Sequence, residues 1–130
     1  MINATTKKVL VAEDNAALGG VIRFNLSRAG FEVVTARNGR EALDAACRDT
    51  FDLVLTDEQM PEMCGTLLCH ELRKRKEYRT TPIIMLTAKG LELDVEELRK
   101  QLGVSATLPK PFSPAELVSV VEECLAVAAC

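Results

Sequence analysis

Residues 51–57 read Phe51-Asp52-Leu53-Val54-Leu55-Thr56-Asp57, an apolar run closed by an acid. Leu53, Val54 and Leu55 are consecutive, so a strand over Leu53–Thr56 presents apolar side chains on both faces. Such a strand belongs in a parallel sheet covered by helices on both sides, because a sheet with one wet face would show alternation instead. Lys8-Val9-Leu10-Val11-Ala12 and Ile83-Ile84-Met85-Leu86-Thr87 have the same character. Shorter or more polar runs at Phe31–Thr35 and Ala106–Leu108 bring the expected strands to five.

Stretches of helical period follow each strand, at Ala16–Ala29, Arg40–Arg48, Thr66–Arg75, Leu91–Leu102 and Pro114–Ala128. Strand and helix in strict alternation are the pattern of βα units, and the fold class is therefore α/β. The helix ends carry their own punctuation. Gly30 and Gly103 stand where a left-handed terminator is wanted, and Asn38-Gly39 supplies a turn and cap before the second helix. Ser113, Pro114 and Glu116 form a capping box with proline at the first helical position. The run Arg73-Lys74-Arg75-Lys76 meets the negative end of the third helix and reads as a solvated terminus.

A chain of 130 residues, 48% hydrophobic and 27% charged, is the size and balance of one globular domain, expected to span residues 1–130. Its net charge of −3 gives no electrostatic footprint for nucleic acid. No apolar run is long enough to cross a bilayer, and Met1–Lys8 lacks the form of a signal peptide, so a cytoplasmic location without membrane contact is expected. The five cysteines are odd in number and contain no CxxC pair, which points to free thiols. Cys64, Cys69 and His70 lack the fourth ligand and the short spacing of a metal site.

In an open parallel sheet, ligands bind beyond the carboxyl ends of the strands, where strand order reverses. The unusual residues sit at those ends. Glu13 and Asp14 follow the first strand, Asp57 follows the third, Thr87 closes the fourth and Lys110 follows the fifth. Singly, each has an ordinary reading: Asp14 as a helix cap, Thr87 as a β-branched strand residue, Lys110 as a loop lysine. Together they do not. Three carboxylates about 5 Å apart repel by roughly 3 kcal/mol per pair at an effective dielectric of about 20, which a divalent cation or raised pKa must offset. Carboxylate, carbonyl and water oxygens are the ligands magnesium prefers.

Five ordered motifs now make the chain resemble the receiver domains of two-component response regulators over nearly its whole length. Val9-Leu10-Val11-Ala12-Glu13-Asp14-Asn15 resembles the family's first strand and acidic pair, and Ala36-Arg37-Asn38-Gly39-Arg40-Glu41-Ala42-Leu43 its second βα junction. Phe51–Asp57 with Met60-Pro61 and Gly65 resembles the phosphoacceptor loop. Pro82-Ile83-Ile84-Met85-Leu86-Thr87-Ala88 resembles the fourth strand with its switch threonine, and Leu108-Pro109-Lys110-Pro111-Phe112 the lysine loop.

The resemblance implies a flavodoxin-like, doubly wound (βα)5 fold with strand order 2-1-3-4-5. It implies that Asp57 accepts a phosphoryl group from a sensor histidine kinase or histidine phosphotransfer protein, in a magnesium-dependent reaction. By the same resemblance, Glu13, Asp14, Asp57 and the carbonyl of Gln59 hold Mg2+, Thr87 binds a phosphoryl oxygen, Lys110 pairs with its charge, and Lys110-Pro111 is cis. The output is a change of partner or output-domain contacts through helix four, strand five and helix five, with the loop from Ala88 to Leu93 moving most. The chain is then no classical enzyme, but a signalling phosphoacceptor that catalyses only its own phosphoryl transfer and dephosphorylation. Two positions depart from the common pattern: Thr107 stands where an aromatic is usual, and Glu13 where many members have Asp. Gln59 and Lys89 occupy positions that tune phosphate lifetime. Three alternatives stand beside this reading. A magnesium phosphohydrolase would need a cap or second acid, a non-phosphorylated interaction module would lack an acid or the lysine, and a flavin binder would need a phosphate loop where Glu13-Asp14 stand.

Overall fold

A computed structural model of the chain describes residues 6–88 and 95–128. In chain order the elements are β1 (Lys8–Ala12), α1 (Ala16–Arg28), β2 (Glu32–Ala36), α2 (Gly39–Arg48), β3 (Leu53–Asp57) and α3 (Gly65–Arg73). A single 3-10 turn over Lys76–Tyr78 follows, then β4 (Ile83–Thr87), α4 (Val95–Leu102), β5 (Ala106–Pro109) and α5 (Pro114–Ala128). All strands are parallel, in the order β2-β1-β3-β4-β5. This is the doubly wound flavodoxin-like arrangement, and its switch point lies between β1 and β3.

The unbroken apolar runs have the two-sided burial that their composition requires. Val9 and Val11 of β1 face Ile22 and Leu26 of α1 and Leu117 and Val121 of α5. Leu10 and Ala12 face the opposite layer, with Ala42, Ala45 and Ala46 of α2 and Leu68 and Leu72 of α3. Every residue of β3 is buried. Since successive residues of a strand point to opposite faces, each apolar residue of a central strand enters one core or the other.

The helix ends follow their local signals. Gly30 and Gly103 have φ of 102° and 65°. Gly30 N–H donates to the Ser27 carbonyl and Phe31 N–H to the Leu26 carbonyl, which closes α1 as a Schellman motif. Those bonds commit Phe31 to the helix end, so β2 begins one residue later than its composition suggests. Asn38 accepts the Glu41 N–H at 2.8 Å. Ser113 and Glu116 exchange both bonds of a capping box, at 2.8 and 3.1 Å. The expected helix from Leu91 begins outside the described residues, as does most of the segment Ala88–Leu93 with Lys89.

One expectation is overturned. Arg73 is no solvated terminus. Its guanidinium donates to the carbonyls of Leu102, Tyr78, Thr81 and Gly103 at 2.6–3.1 Å, because α3 gives way to the 3-10 turn and brings the chain back over it. Desolvation lowers the Arg73 pKa from its usual value, yet the planar fork matches carbonyls converging from the end of α4 and the entry to β4. Cys47, Cys64, Cys69 and Cys124 are free thiols, and burial pushes Cys69 up to about 12. No helix among the described residues is long and apolar enough to cross a membrane.

Candidate functional site

At the switch point the ends of β1 and β3 lie side by side, with Ala12 paired to Thr56. Glu13 continues the line of β1 through its N–H, which donates to the Ala36 carbonyl at 3.0 Å. Its side chain is thereby held in the sheet's interior, only 3% exposed. Asn15, rather than Asp14, is the N-cap of α1 and accepts the Leu18 N–H at 2.9 Å. Asp14 is consequently released from the capping role that it would fill in isolation, and is exposed. Asp57 is the last residue of β3, paired with Leu86 and 6% exposed. The strand runs one residue further than the apolar run alone marks, because this ladder partner holds the acid too.

Lys110 reaches the same spot from β5. Its N–H donates to the Thr87 carbonyl at 2.8 Å, and the Lys110-Pro111 bond is cis. Its Nζ donates to Asp57 Oδ2 at 2.9 Å and lies 3.0 Å from Glu13 Oε1. The second approach is outside hydrogen-bonding direction, so this buried oxygen has an ion-pair partner and no hydrogen bond. Thr87 is half-buried at the end of β4, one residue before Ala88 on the wall of the cleft. The cleft measures about 470 Å3, and Leu18, Gln59 and Ala88 line it beside the three acids and Lys110.

Glu13, Asp14 and Asp57 each offer a carboxylate oxygen within 4.8 Å of the others. Among the described residues Cys64, Cys69 and His70 form no comparable group. Burial pushes the Glu13 carboxyl up to about 7, against the opposing effects of the Asn15 N–H bond and the adjacent Lys110 ammonium. Desolvation pulls Lys110 down, but its hydrogen bond to Asp57 and the attraction of Asp57 and Glu13 outweigh it and leave the ammonium above its usual value. One lysine thus serves two buried acids, and a third carboxylate stands at the mouth. An unbonded buried oxygen beside two more oxygen donors suits a hard divalent cation such as magnesium.

Residues 9–122 match the family model of the response regulator receiver domain. The chain belongs to the response-regulator receiver family. It is 39% identical over 119 residues to the alkaline phosphatase synthesis transcriptional regulatory protein PhoP of Bacillus subtilis (strain 168), covering 92% of this chain and 48% of that one. The receiver thus spans about half the length of that curated relative. Among solved structures it is similar to the chemotaxis protein CheY4 of Vibrio cholerae, with a TM-score of 0.86, 32% identity, and 92% and 99% of the two chains covered. It is also similar to the receiver domain of a Pseudomonas aeruginosa PAO1 sensor histidine kinase with magnesium coordinated in its active-site cleft (TM-score 0.83, 31% identity, 94% and 99% covered). Receivers are signalling phosphoacceptors of two-component systems that bind magnesium at an acidic pocket, and this receiver has such a pocket.

Of the expected site residues, Glu13, Asp14, Asp57, Gln59 and Lys110 line this receiver's cleft, while Thr87 does not and its neighbour Ala88 does. Sequence reasoning missed the walls Leu18 and Ala88, whose apolar and small side chains carry no chemical signal. The capping role of Asn15 was legible, since Asn is as good a cap as Asp and stands next to the helix. Sequence reasoning also missed Glu58, whose bonds across the β3–α3 loop depend on where α3 begins.

Proposed function

We propose that this receiver takes a phosphoryl group onto Asp57 from a phosphohistidine of a sensor histidine kinase or a histidine phosphotransfer protein, in a magnesium-dependent reaction. The observation that carries the reading is the Lys110 ammonium bound to Asp57 Oδ2 beside a buried Glu13 oxygen that has no hydrogen bond. An Asp57 carboxylate oxygen attacks phosphorus as the phosphorus–nitrogen bond breaks, and the donor imidazole leaves with that electron pair. Lys110 offsets the charge gathering on the acceptor, and Thr87 offers its hydroxyl to a phosphoryl oxygen; positioning and charge are what phosphoryl transfer asks of a protein. Glu13, Asp14, Asp57 and the carbonyl of Gln59 would hold Mg2+, which when bound supplies further neutralisation of the phosphoryl oxygens. Residues 1–130 act as one cytoplasmic domain, and its partners or output domain read the phosphorylated state through α4, β5 and α5, without nucleic acid or membrane contact by this domain.

The test is incubation with acetyl phosphate and magnesium, followed by mass-spectrometric mapping. One adduct is expected, on Asp57. It should be absent in Asp57→Asn and in excess chelator, and an adduct on Ser, Thr or another Asp would reject the assignment. The receiver should release its own phosphate slowly, whereas many turnovers of an added phosphate ester per protein would favour a phosphohydrolase.

A further inference from the structure

The residue after Asp57 has a task of its own. Glu58 Oε1 accepts the Thr66 N–H at 2.7 Å, and both carboxylate oxygens accept the Thr66 hydroxyl, at 2.9 and 2.8 Å. Its carbonyl accepts the Gly65 N–H at 2.9 Å. Cys64, at the N-cap of α3, makes no side-chain cap bond. Two of the amides that a helix N-terminus leaves without intrahelical partners are therefore taken by one residue from across the loop. A carboxylate in that place is also favoured by the charge-assisted bond and the helix dipole.

The loop that Glu58 closes, Gln59–Cys64, starts and ends on it. Its start is fixed by the Glu58 N–H, which donates to the Leu86 carbonyl at 3.3 Å. Its end is pressed onto the strand at Gly65, where a Cβ would stand 2.3 Å from the Asp57 carbonyl oxygen. Gln59, the first loop residue, lines the cleft with Glu13, Asp14 and Asp57. Asp57 needs no help from the loop, because the β3–β4 ladder already holds it. Gln59 lies beyond the ladder, and the closure of the loop is what limits its backbone.

We infer that Glu58 is a positioning residue for the cation: by clamping the start of α3 to the end of β3, it fixes the Gln59 main chain against the acidic cleft. The inference rests on the magnesium reading above. Partners that orient metal ligands without touching the metal typically contribute about tenfold or more to affinity.

The experiment is a magnesium titration of the whole chain followed by amide NMR shifts, with hydrogen exchange measured in the metal-free protein. Glu58→Ala should weaken magnesium binding about tenfold and speed exchange at Gly65 and Thr66. Glu58→Gln keeps an acceptor oxygen for the Thr66 N–H while losing the charge, and should stay within about twofold of the native protein. Thr66→Val keeps the charge and the N–H bond but loses the hydroxyl bonds; it should fall between them, and it carries the test should Glu58→Ala not fold. If Glu58→Gln loses as much affinity as Glu58→Ala, net charge alone is acting and the positioning role is overturned. Faster exchange in Glu58→Ala with unchanged affinity would reduce Glu58 to a structural cap. A native protein that takes up no magnesium, with Gly65 and Thr66 protected through Glu58, would overturn the magnesium reading rather than the clamp.

Discussion

Glu13 is the residue at which burial and charge are most opposed. A glutamate titrates near 4.5, and here burial raises it to about 7. In the metal-free protein the folded state therefore binds the proton more tightly than the unfolded chain. That contribution to stability is complete below about 4.5 and is lost as pH rises to about 7. A cation competes for the same oxygens, so magnesium affinity should fall about tenfold per pH unit below about 7, since binding expels one proton. Titrations at several pH values, in the native protein and in Glu13→Gln, check this. A native affinity that stays flat with pH would show that Glu13 is already ionised. The identity of the acids was legible in the sequence, because four chemically distinct residues fell at strand ends. The perturbed titration was not, since it comes from how deeply the fold buries the residue that follows β1.

At the scale of elements, Arg73 ties three of them together. It stands on α3, bonds the carbonyls at the end of α4, and bonds Tyr78 and Thr81 in the turn that leads to β4. Arg73→Ala leaves those carbonyls without their charged donor and should destabilise the fold by roughly 3 kcal/mol in urea denaturation. Arg73→Lys should recover less than half of that, because an ammonium cannot fork among carbonyls arriving from different directions. An alanine variant as stable as the native protein would make Arg73 the solvated residue that its sequence context suggests. The misreading has a local cause. A run of four basic residues after an amphipathic stretch carries one signal for all four positions, and only the 3-10 turn after α3 singles out the first. The Ser113–Glu116 box and the Asn38 cap were legible for the converse reason: every partner lies within three residues.

For the whole molecule, the three acids come from β1 and β3 and their following turns, more than forty positions apart in the chain, so the unfolded chain has no such site. A ligand that binds only the folded state stabilises it by mass action: magnesium at ten times its dissociation constant should contribute about 1.4 kcal/mol, or roughly 5 °C in Tm for a domain of this size. Asp14→Ala should abolish most of that shift while leaving the metal-free Tm near native, because Asp14 is exposed and outside both cores. An equal shift in the variant would move the cation elsewhere.

The sequence by itself determined the alternation of strand and helix, the two-sided burial of β1, β3 and β4, the terminator of α1, the caps of α2 and α5, and which acids and lysine could meet at one cleft, whereas the helix expected over Thr66–Arg75 ends at Arg73. These rest on patterns within a few residues of each other: consecutive apolar side chains, caps and terminators at fixed offsets. Its motifs also pointed to the strand order that the sheet adopts. Only the tertiary structure decided that Arg73 is a clamp, that Glu58 closes the loop ahead of α3, and that one lysine is shared by two buried acids. Each depends on distances between separate elements of the fold, whether eight residues apart in the chain, as Glu58 and Thr66 are, or 53, as Asp57 and Lys110 are. Such distances are set by how helices seat on the two faces of the sheet, and local sequence pattern does not contain them.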